Sequence, residues 1–329
     1  MMMTRSNKPV VGVDLGGTKI ITGVFDVDGV MLSRIYCLTL AHEGPTKVIN
    51  RINGTIDQAI EKAGLKRDQI DVIGVAAPGP IDINRGLVIR APNLPRWSNV
   101  PLPAIITEEF NLPVFLLNDA NAAALGEHRY GAGRGVDDLI YITVSTGIGG
   151  GIIIAGELYD GIDGCAAEIG HMIMMIDGPT CNCGRKGCFE ALASGTAIAR
   201  MARERMAFGE TSIMCALAGN IIDNITSETV YEAARKGDTL ALDVIHTAAS
   251  YLGIGLANLV NIINPQMIIL GGGVTKMGAI LLGPARKSMK ANAFKPPVNT
   301  VRIVRPALGM DAGIFGAAEY VKQKRRKAA

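Results

Sequence analysis

Two hydrophobic periods alternate along the chain and set its elements. Short runs rich in β-branched residues mark strands over residues 10–14, 20–26 and 31–38, since such side chains fit a pleated surface. The spacing then becomes helical over 45–63 and returns to a strand at 72–76, the succession of an α/β chain. Three consecutive strands before the first helix predict an antiparallel meander with its hairpin turn at Asp28 and Gly29, not the strict βαβ order of a dinucleotide fold. A further strand at 114–117 runs into a helix that starts near Asp119, where residues 120–125 are strong helix formers.

The meander recurs. VVGVDLGGTKIITGVFDVDG from Val10 and LIYITVSTGIGGGIIIAGELYDG from Leu139 share one plan of strand, glycine turn with threonine, second strand and hairpin turn. Repetition of this kind outranks any single motif as a guide to architecture, and it predicts a duplicated fold with a cleft between two halves. No linker is visible, so the boundary is placed by the repeat within 118–135: residues 1–118 form a first α/β domain closed by a C-terminal helix at about 310–329, and 119–309 a larger second one. From Glu190 the chain turns helical, with 229–236 and 239–263 the clearest segments, and a strand at 267–270 ends in Gly271, Gly272 and Gly273 before a closing helix at 310–321. The uncharged stretch 251–274 approaches the roughly 20 residues of a membrane span. Asn258, Asn261, Asn264 and Pro265 interrupt it, however, and Leu252, Leu256, Leu259, Val260 and Ile263 keep helical spacing, so a buried helix followed by a buried strand is expected and no membrane partner.

Composition sharpens this picture. A length of 329 residues suits two domains at about 150 residues each, and 48% hydrophobic with 19% charged residues is globular usage that excludes long disorder. Glycine stands out: 40 residues, about 12% against an average of about 7%, require positive φ or close approach to the backbone at many positions. The net charge of +3 rests on Lys322, Lys324, Arg325, Arg326 and Lys327, without which the balance is 28 basic to 30 acidic residues. A basic body suited to nucleic acid is therefore absent, and the tail reads as a solvated helix end. Residues 1–9 carry no apolar segment of an export signal, which points to the cytoplasm. Of six cysteines, Cys181, Cys183 and Cys188 fall within eight residues, a clustering that in an unexported chain indicates metal before disulfide.

Four motifs carry candidate chemistry. DLGGTK places Gly16, Gly17, Thr18 and Lys19 in a tight turn leaving a strand; glycine amides can approach an anion, and Asp14 can hold the water shell of a Mg²⁺ that bridges phosphates. STGIGGG, with Thr146 and Gly147, offers a second phosphate-sized turn, and Gly271, Gly272 and Gly273 a third. Neither a Walker A loop nor a dinucleotide fingerprint is present, so two phosphate turns imply a nucleotide gripped between domains. In LNDANAAALGE, Asp119 sits where a strand gives way to a helix; it reads either as a base for a hydroxyl attacking phosphorus or as a plain N-cap. EIGH and CNCGRKGC supply His171, Cys181, Cys183 and Cys188, a complete tetrahedral set with no open position and therefore a structural Zn²⁺. Glu168 and Glu190 flank that knuckle and can accept hydrogen bonds from sugar hydroxyls, or stand as solvated charges. Asn93, in a proline-bracketed loop, supplies donor and acceptor together. His42, His128 and His246 read as surface or helix-face residues, and Cys165 has no evident role.

DLGGTK, PGPID, PNLPRW, LNDANAAALGE, TGIGGG, EIGH, CNCGRKGCFE and GGG, in that order from about residue 10 to about 320, together resemble the ROK family of bacterial sugar kinases and repressors, most of all its ATP-dependent, glucose-phosphorylating members. The resemblance implies an actin and hexokinase type fold, related to ribonuclease H, whose two domains close on ATP and a hexose. It implies Asp119 as catalytic base and Asn93, Asn118, Glu168, His171 and Glu190 as ligands of sugar hydroxyls. It further implies Gly16, Gly17, Thr18, Lys19, Thr146 and Gly147 at the phosphates, the triple glycine near the nucleoside, and zinc on His171, Cys181, Cys183 and Cys188. A homodimer or homotetramer is the assembly such a member forms. Glucose is the first substrate to expect, with N-acetylmannosamine, fructose or mannose as alternatives and a sugar-sensing regulator without turnover as a third possibility. Repressor members carry a DNA-binding segment before the first phosphate turn, and only thirteen residues precede Asp14 here.

Overall fold

A computed structural model of the chain describes residues 8–91 and 93–328; residues 1–7, most of the polar stretch 1–9 that lacks an export signal's apolar segment, lie outside them. The opening meander forms as expected, from β1 (Val10–Leu15), β2 (Lys19–Phe25) and β3 (Met31–Leu38). β1 and β2 pair antiparallel, as do β2 and β3, and the turn between the last two is closed by the Asp26 carboxylate, which accepts from the Asp28 and Val30 N–H groups. α1 (Pro45–Lys62) buries Val48, Ile52, Ile56, Ala59 and Ile60 in the core of this half. β4 (Val72–Ala77) then joins β1 in parallel.

A small antiparallel sheet follows, of β5 (Ile81–Asp82), β6 (Leu87–Arg90) and β7 (Ser98–Val100). Strands of two to four residues amid prolines carry too little alternation to be read from sequence. α2 (Leu102–Phe110) leads to β8 (Val114–Asn118) and α3 (Asp119–Tyr130). The first five-stranded sheet has the order β3-β2-β1-β4-β8.

The second sheet repeats that order. It takes in β9 (Leu139–Val144), β10 (Ile148–Ile154), β11 (Glu157–Leu158), β12 (Met267–Gly271) and β13 (Arg302–Val304), arranged β11-β10-β9-β12-β13. The duplication legible in the two glycine-turn segments is thus a duplication of topology. Between β11 and β12 run α4 (Phe189–Ala193), α5 (Gly195–Ala207), α6 (Met214–Leu217), α7 (Ser227–Arg235) and α8 (Thr239–Ile263). α8 alone among the described helices is long and apolar enough to cross a membrane, yet 61% of its apolar window is buried within the structure, with α9 (Ala279–Asn292) packed along it. Gly253 makes that packing possible, since a Cβ there would meet the Ala285 carbonyl oxygen at 2.4 Å. Helix and strand are both buried, as the interrupting asparagines implied. The short α10 (Pro297–Thr300) precedes β13, and α11 (Ala312–Ala328) ends the chain.

The chain divides into two compact units: one holds the residues up to Tyr141, Gly151–Ala167 and the stretch from Pro306, and the other Ile142–Gly150 and Glu168–Arg305. The division does not fall after Asn118, because α3 is packed against α11 within the first unit. Part of the glycine excess belongs to this packing, beside the seventeen described glycines at positive φ. A Cβ on Gly12, Gly74 or Gly126 would come within 2.4 Å of a carbonyl oxygen of residues 312–317, and one on Gly316 would strike the Ala122 carbonyl. The basic tail is likewise no free helix end: Lys322 is buried and donates to the Asp26 carbonyl oxygen at 2.6 Å, and Arg325 pairs with Asp71 at 2.9 Å.

Candidate active site and metal centre

In the first unit, the Gly16 N–H donates to the Lys19 carbonyl at 2.9 Å and closes the DLGGTK turn, while Thr39 bonds its two outer carbonyls, those of Gly16 and Thr18. Gly17 is required by space and not by φ: a Cβ there would stand 2.6 Å from Asn93 Cβ and 2.9 Å from its carbonyl oxygen. Asn93 is exposed, on a loop whose Leu94 and Trp97 are anchored in the core. At the end of β1 the Asp14 carboxyl is pushed up to about 6, chiefly by burial, with Lys19 acting against the shift and Asp311 adding to it. The start of α11 lies directly on it, since a Cβ on Gly313 would meet Asp14 Oδ2 at 2.6 Å.

Asn118 and Asp119 stand together where β8 passes into α3. Asn118 is the N-cap of α3: its Oδ1 accepts from the N–H groups of Ala120 at 2.9 Å and Asn121 at 3.2 Å. Asp119 therefore stands in the first turn, and its Oδ1 accepts the Ala120 N–H at 2.8 Å. With its oxygen committed to the cap, Asn118 has its amide N–H₂ to offer; one of these hydrogens points at the Gly79 carbonyl at 3.4 Å.

In the second unit the candidate residues form one connected network. The turn at 145–147 is closed by the Ser145 N–H donating to the Gly147 carbonyl at 2.8 Å, and its own carbonyls accept from the Gly195 and Thr196 N–H groups that open α5. Gly272, at φ +94° with the Val144 carbonyl 2.2 Å from where its Cβ would be, tolerates no side chain, and Gly273 faces Ser145. Gly271 ends β12 just before them. Gly147 is glycine because Glu190 fills the space beside it: an added Cβ would meet Glu190 Oε2 at 2.2 Å. That same oxygen accepts the Ile148 N–H at 2.9 Å, and Oε1 accepts the Cys181 thiol at 3.6 Å.

Beyond Cys181 lies the cluster of His171, Cys181, Cys183 and Cys188, whose ligating atoms all lie within 4.8 Å of one another. Zinc bonds of about 2.3 Å in a tetrahedron set sulfurs about 3.8 Å apart. Cys183 and Cys188 sulfurs are 3.7 Å apart, and Cys181 Sγ is 3.8 Å from His171 Nδ1, so the donor set fits the ion. Burial pushes the Cys181 thiol up to about 12 and raises Cys188; at Cys183 burial is outweighed by hydrogen bonds from the Arg185 backbone, Cys181 and Cys188, which lower it. His171 divides its nitrogens, with Nδ1 toward the thiols and Nε2 toward Glu168 Oε2 at 3.9 Å. Desolvation raises Glu168, His171 opposes it and Glu190 adds to it.

Two features escaped the sequence reading. His128 is buried rather than at a surface. Glu127, also fully buried, accepts the N–H groups of Ala132, Ala307 and Leu308 at 2.7–2.9 Å, and so ties α3 to the segment leading into α11; a glutamate within a run of helix formers gave no sign of this. Cys165 gains a structural role, its thiol donating to the Ile81 carbonyl at 3.0 Å.

The chain matches the ROK family over residues 10–324. It is 39% identical over 315 residues to the glucokinase of Thermotoga maritima, covering 96% of this chain and 98% of that one. A xylose repressor of Caldicellulosiruptor bescii is 35% identical, over 95% of this chain and 77% of its own length. Among solved structures, the ROK glucokinase of Streptomyces griseus in complex with glucose and AMPPNP superposes with a TM-score of 0.79 at 38% identity, over 96% of this chain and 99% of that one.

Proposed function

The chain belongs to the ROK family, with its duplicated actin and hexokinase type fold, and we propose that it transfers the γ-phosphoryl group of ATP to the 6-hydroxyl of glucose. The observation that carries this reading is the arrangement where β8 passes into α3: Asn118 caps the helix, and Asp119 follows it in the first turn, with Oδ1 on the Ala120 N–H. The glucokinase name of the T. maritima relative and the glucose and AMPPNP bound by the S. griseus enzyme support the choice of substrates.

In this reaction the sugar hydroxyl attacks the γ-phosphorus in line, the new O–P bond forms as the bond to ADP breaks, and the hydroxyl proton passes to the Asp119 carboxylate. Asn93, Asn118, Glu168, His171 and Glu190 are the proposed ligands of the sugar hydroxyls. Gly16, Gly17, Thr18, Lys19, Thr146 and Gly147 receive the phosphates, and Gly271, Gly272 and Gly273 lie at the nucleoside. Asp14, ionised above about 6, suits a water-shell contact to Mg²⁺, an ion that neutralises charge on the phosphates when bound. Zinc on His171, Cys181, Cys183 and Cys188 supplies rigidity rather than chemistry, since four protein donors leave no open position. The enzyme acts in the cytoplasm as a homodimer or homotetramer, without nucleic-acid or membrane partners.

The test is ADP release from MgATP with glucose, mannose, fructose and N-acetylmannosamine in parallel. The highest kcat/KM is expected with glucose. A preference for another hexose would reassign the sugar, and no release with any of them would overturn the kinase reading.

A further inference from the structure

Glu190 stands at an unusual junction. Its Oε2 holds the Ile148 N–H and fills the space beside Gly147, while its Oε1 touches Cys181, a member of the metal cluster. A second member, Cys188, is the N-cap of α4, the helix in which Glu190 is the second residue. The carboxylate thus touches one member of the cluster and follows another along the chain by two residues, and it is in turn a side-chain acceptor for the turn at 145–151. Beyond its place among the sugar ligands, we propose that Glu190 is a positioning residue that couples the metal cluster to this turn, so that metal occupancy sets the order of the turn and its affinity for nucleotide.

The physical argument is short. Metal binding takes the thiol protons, the one Cys181 donates to Glu190 included, and fixes the three cysteines and His171 in one geometry; the coupling therefore runs through Cys188, which fixes the first turn of α4. A hydrogen bond to an ionised acceptor is about twice as strong as a neutral one, so the Ile148 amide follows the carboxylate. A loosened cluster releases Cys188 and the first turn of α4, and the turn loses the Glu190 acceptor at Ile148 while the Thr196 hydroxyl stays on its Thr146 carbonyl. The inference rests on reading 145–151 as a phosphate turn.

Hydrogen–deuterium exchange of the amides of residues 145–151 in the full chain, with zinc loaded and after chelation, tests it alongside AMPPNP titration. In the wild type, chelation should speed exchange at Ile148 by about tenfold and raise the AMPPNP Kd by about tenfold, the scale of one charge-assisted hydrogen bond. Glu190→Ala should produce both changes while keeping about one zinc per chain, and chelation of that variant should add nothing. Glu190→Gln, which retains a carbonyl acceptor, should restore slow exchange. Unchanged exchange at 145–151 in Glu190→Ala with zinc retained overturns the coupling, as does an effect of chelation that adds in full to that of the substitution; should chelation unfold the wild type, the zinc-loaded variants decide. Exchange is read without nucleotide, so a failure to bind AMPPNP would count against the kinase reading and leave the coupling to stand or fall on exchange.

Discussion

Gly17 and Asn93 touch backbone to side chain: a Cβ on the glycine would lie 2.6 Å from the asparagine Cβ. The DLGGTK turn and the PNLPRW loop therefore keep each other in place, and a single added methyl group must push them apart. Gly17→Ala should raise KM for glucose and for ATP, each by about tenfold, or about 1.4 kcal/mol. Steady-state kinetics with each substrate varied in turn checks this, and an unchanged pair of KM values would contradict it.

The pH dependence should carry the mark of Asp14. Its folded value of about 6 lies above the ordinary 3.8 because burial disfavours the charged form. Activity that needs the carboxylate should fall as the pH drops through about 6. Stability runs the other way, because a raised carboxyl contributes fully below its unfolded value and loses that contribution as the pH rises through the folded one. Asp14→Asn should accordingly raise Tm at pH 8 and leave it nearly unchanged at pH 4, while abolishing activity at pH 8. A variant less stable than wild type at pH 8 would show that desolvation does not govern this group.

Metal content is the simplest measurement on the second unit. About one zinc per chain is expected from three thiolates and one imidazole; Cys183→Ser should lose it and lower Tm, because binding free energy at a structural site is folding free energy. Freshly purified protein without zinc would refute the assignment.

Glu127 offers a test away from the chemistry. Truncation to alanine strands three N–H groups, those of Ala132, Ala307 and Leu308, and should cost roughly 3–5 kcal/mol. Glu127→Gln, which keeps acceptor oxygen, should cost less than half as much. Denaturant unfolding that finds the alanine variant within 1 kcal/mol of wild type (less than one stranded donor is expected to cost) would mean the loop relaxes to water.

The sequence carried most of the frame because its signals were local and strong. Three β-branched runs before the first helix, the recurrence of strand, glycine turn and strand from Leu139, and the helical spacing of α8 each depend on neighbours a few residues apart. The metal set was legible for the same reason, as its cysteines are close in sequence. What stayed hidden depends on distant partners. That Asn118 rather than Asp119 caps α3 turns on a side-chain rotamer, and the need for glycine at Gly12, Gly74, Gly126 and Gly316 arises from a helix that ends the chain. The burial of Glu127 and the anchoring of Lys322 likewise follow from contacts across 180 and 296 residues, which no short window reveals.

Asp119→Asn tests the central claim most directly. The substitution keeps the size and much of the hydrogen bonding of the side chain while removing its capacity to take a proton. Glucose-dependent ADP release by this variant should fall by at least about a thousandfold, within the 10²–10⁴ range of general-base catalysis, with its glucose Kd, measured by calorimetry, within about threefold of wild type. Turnover above a tenth of the wild-type rate would contradict Asp119 as the base and the phosphoryl transfer built on it.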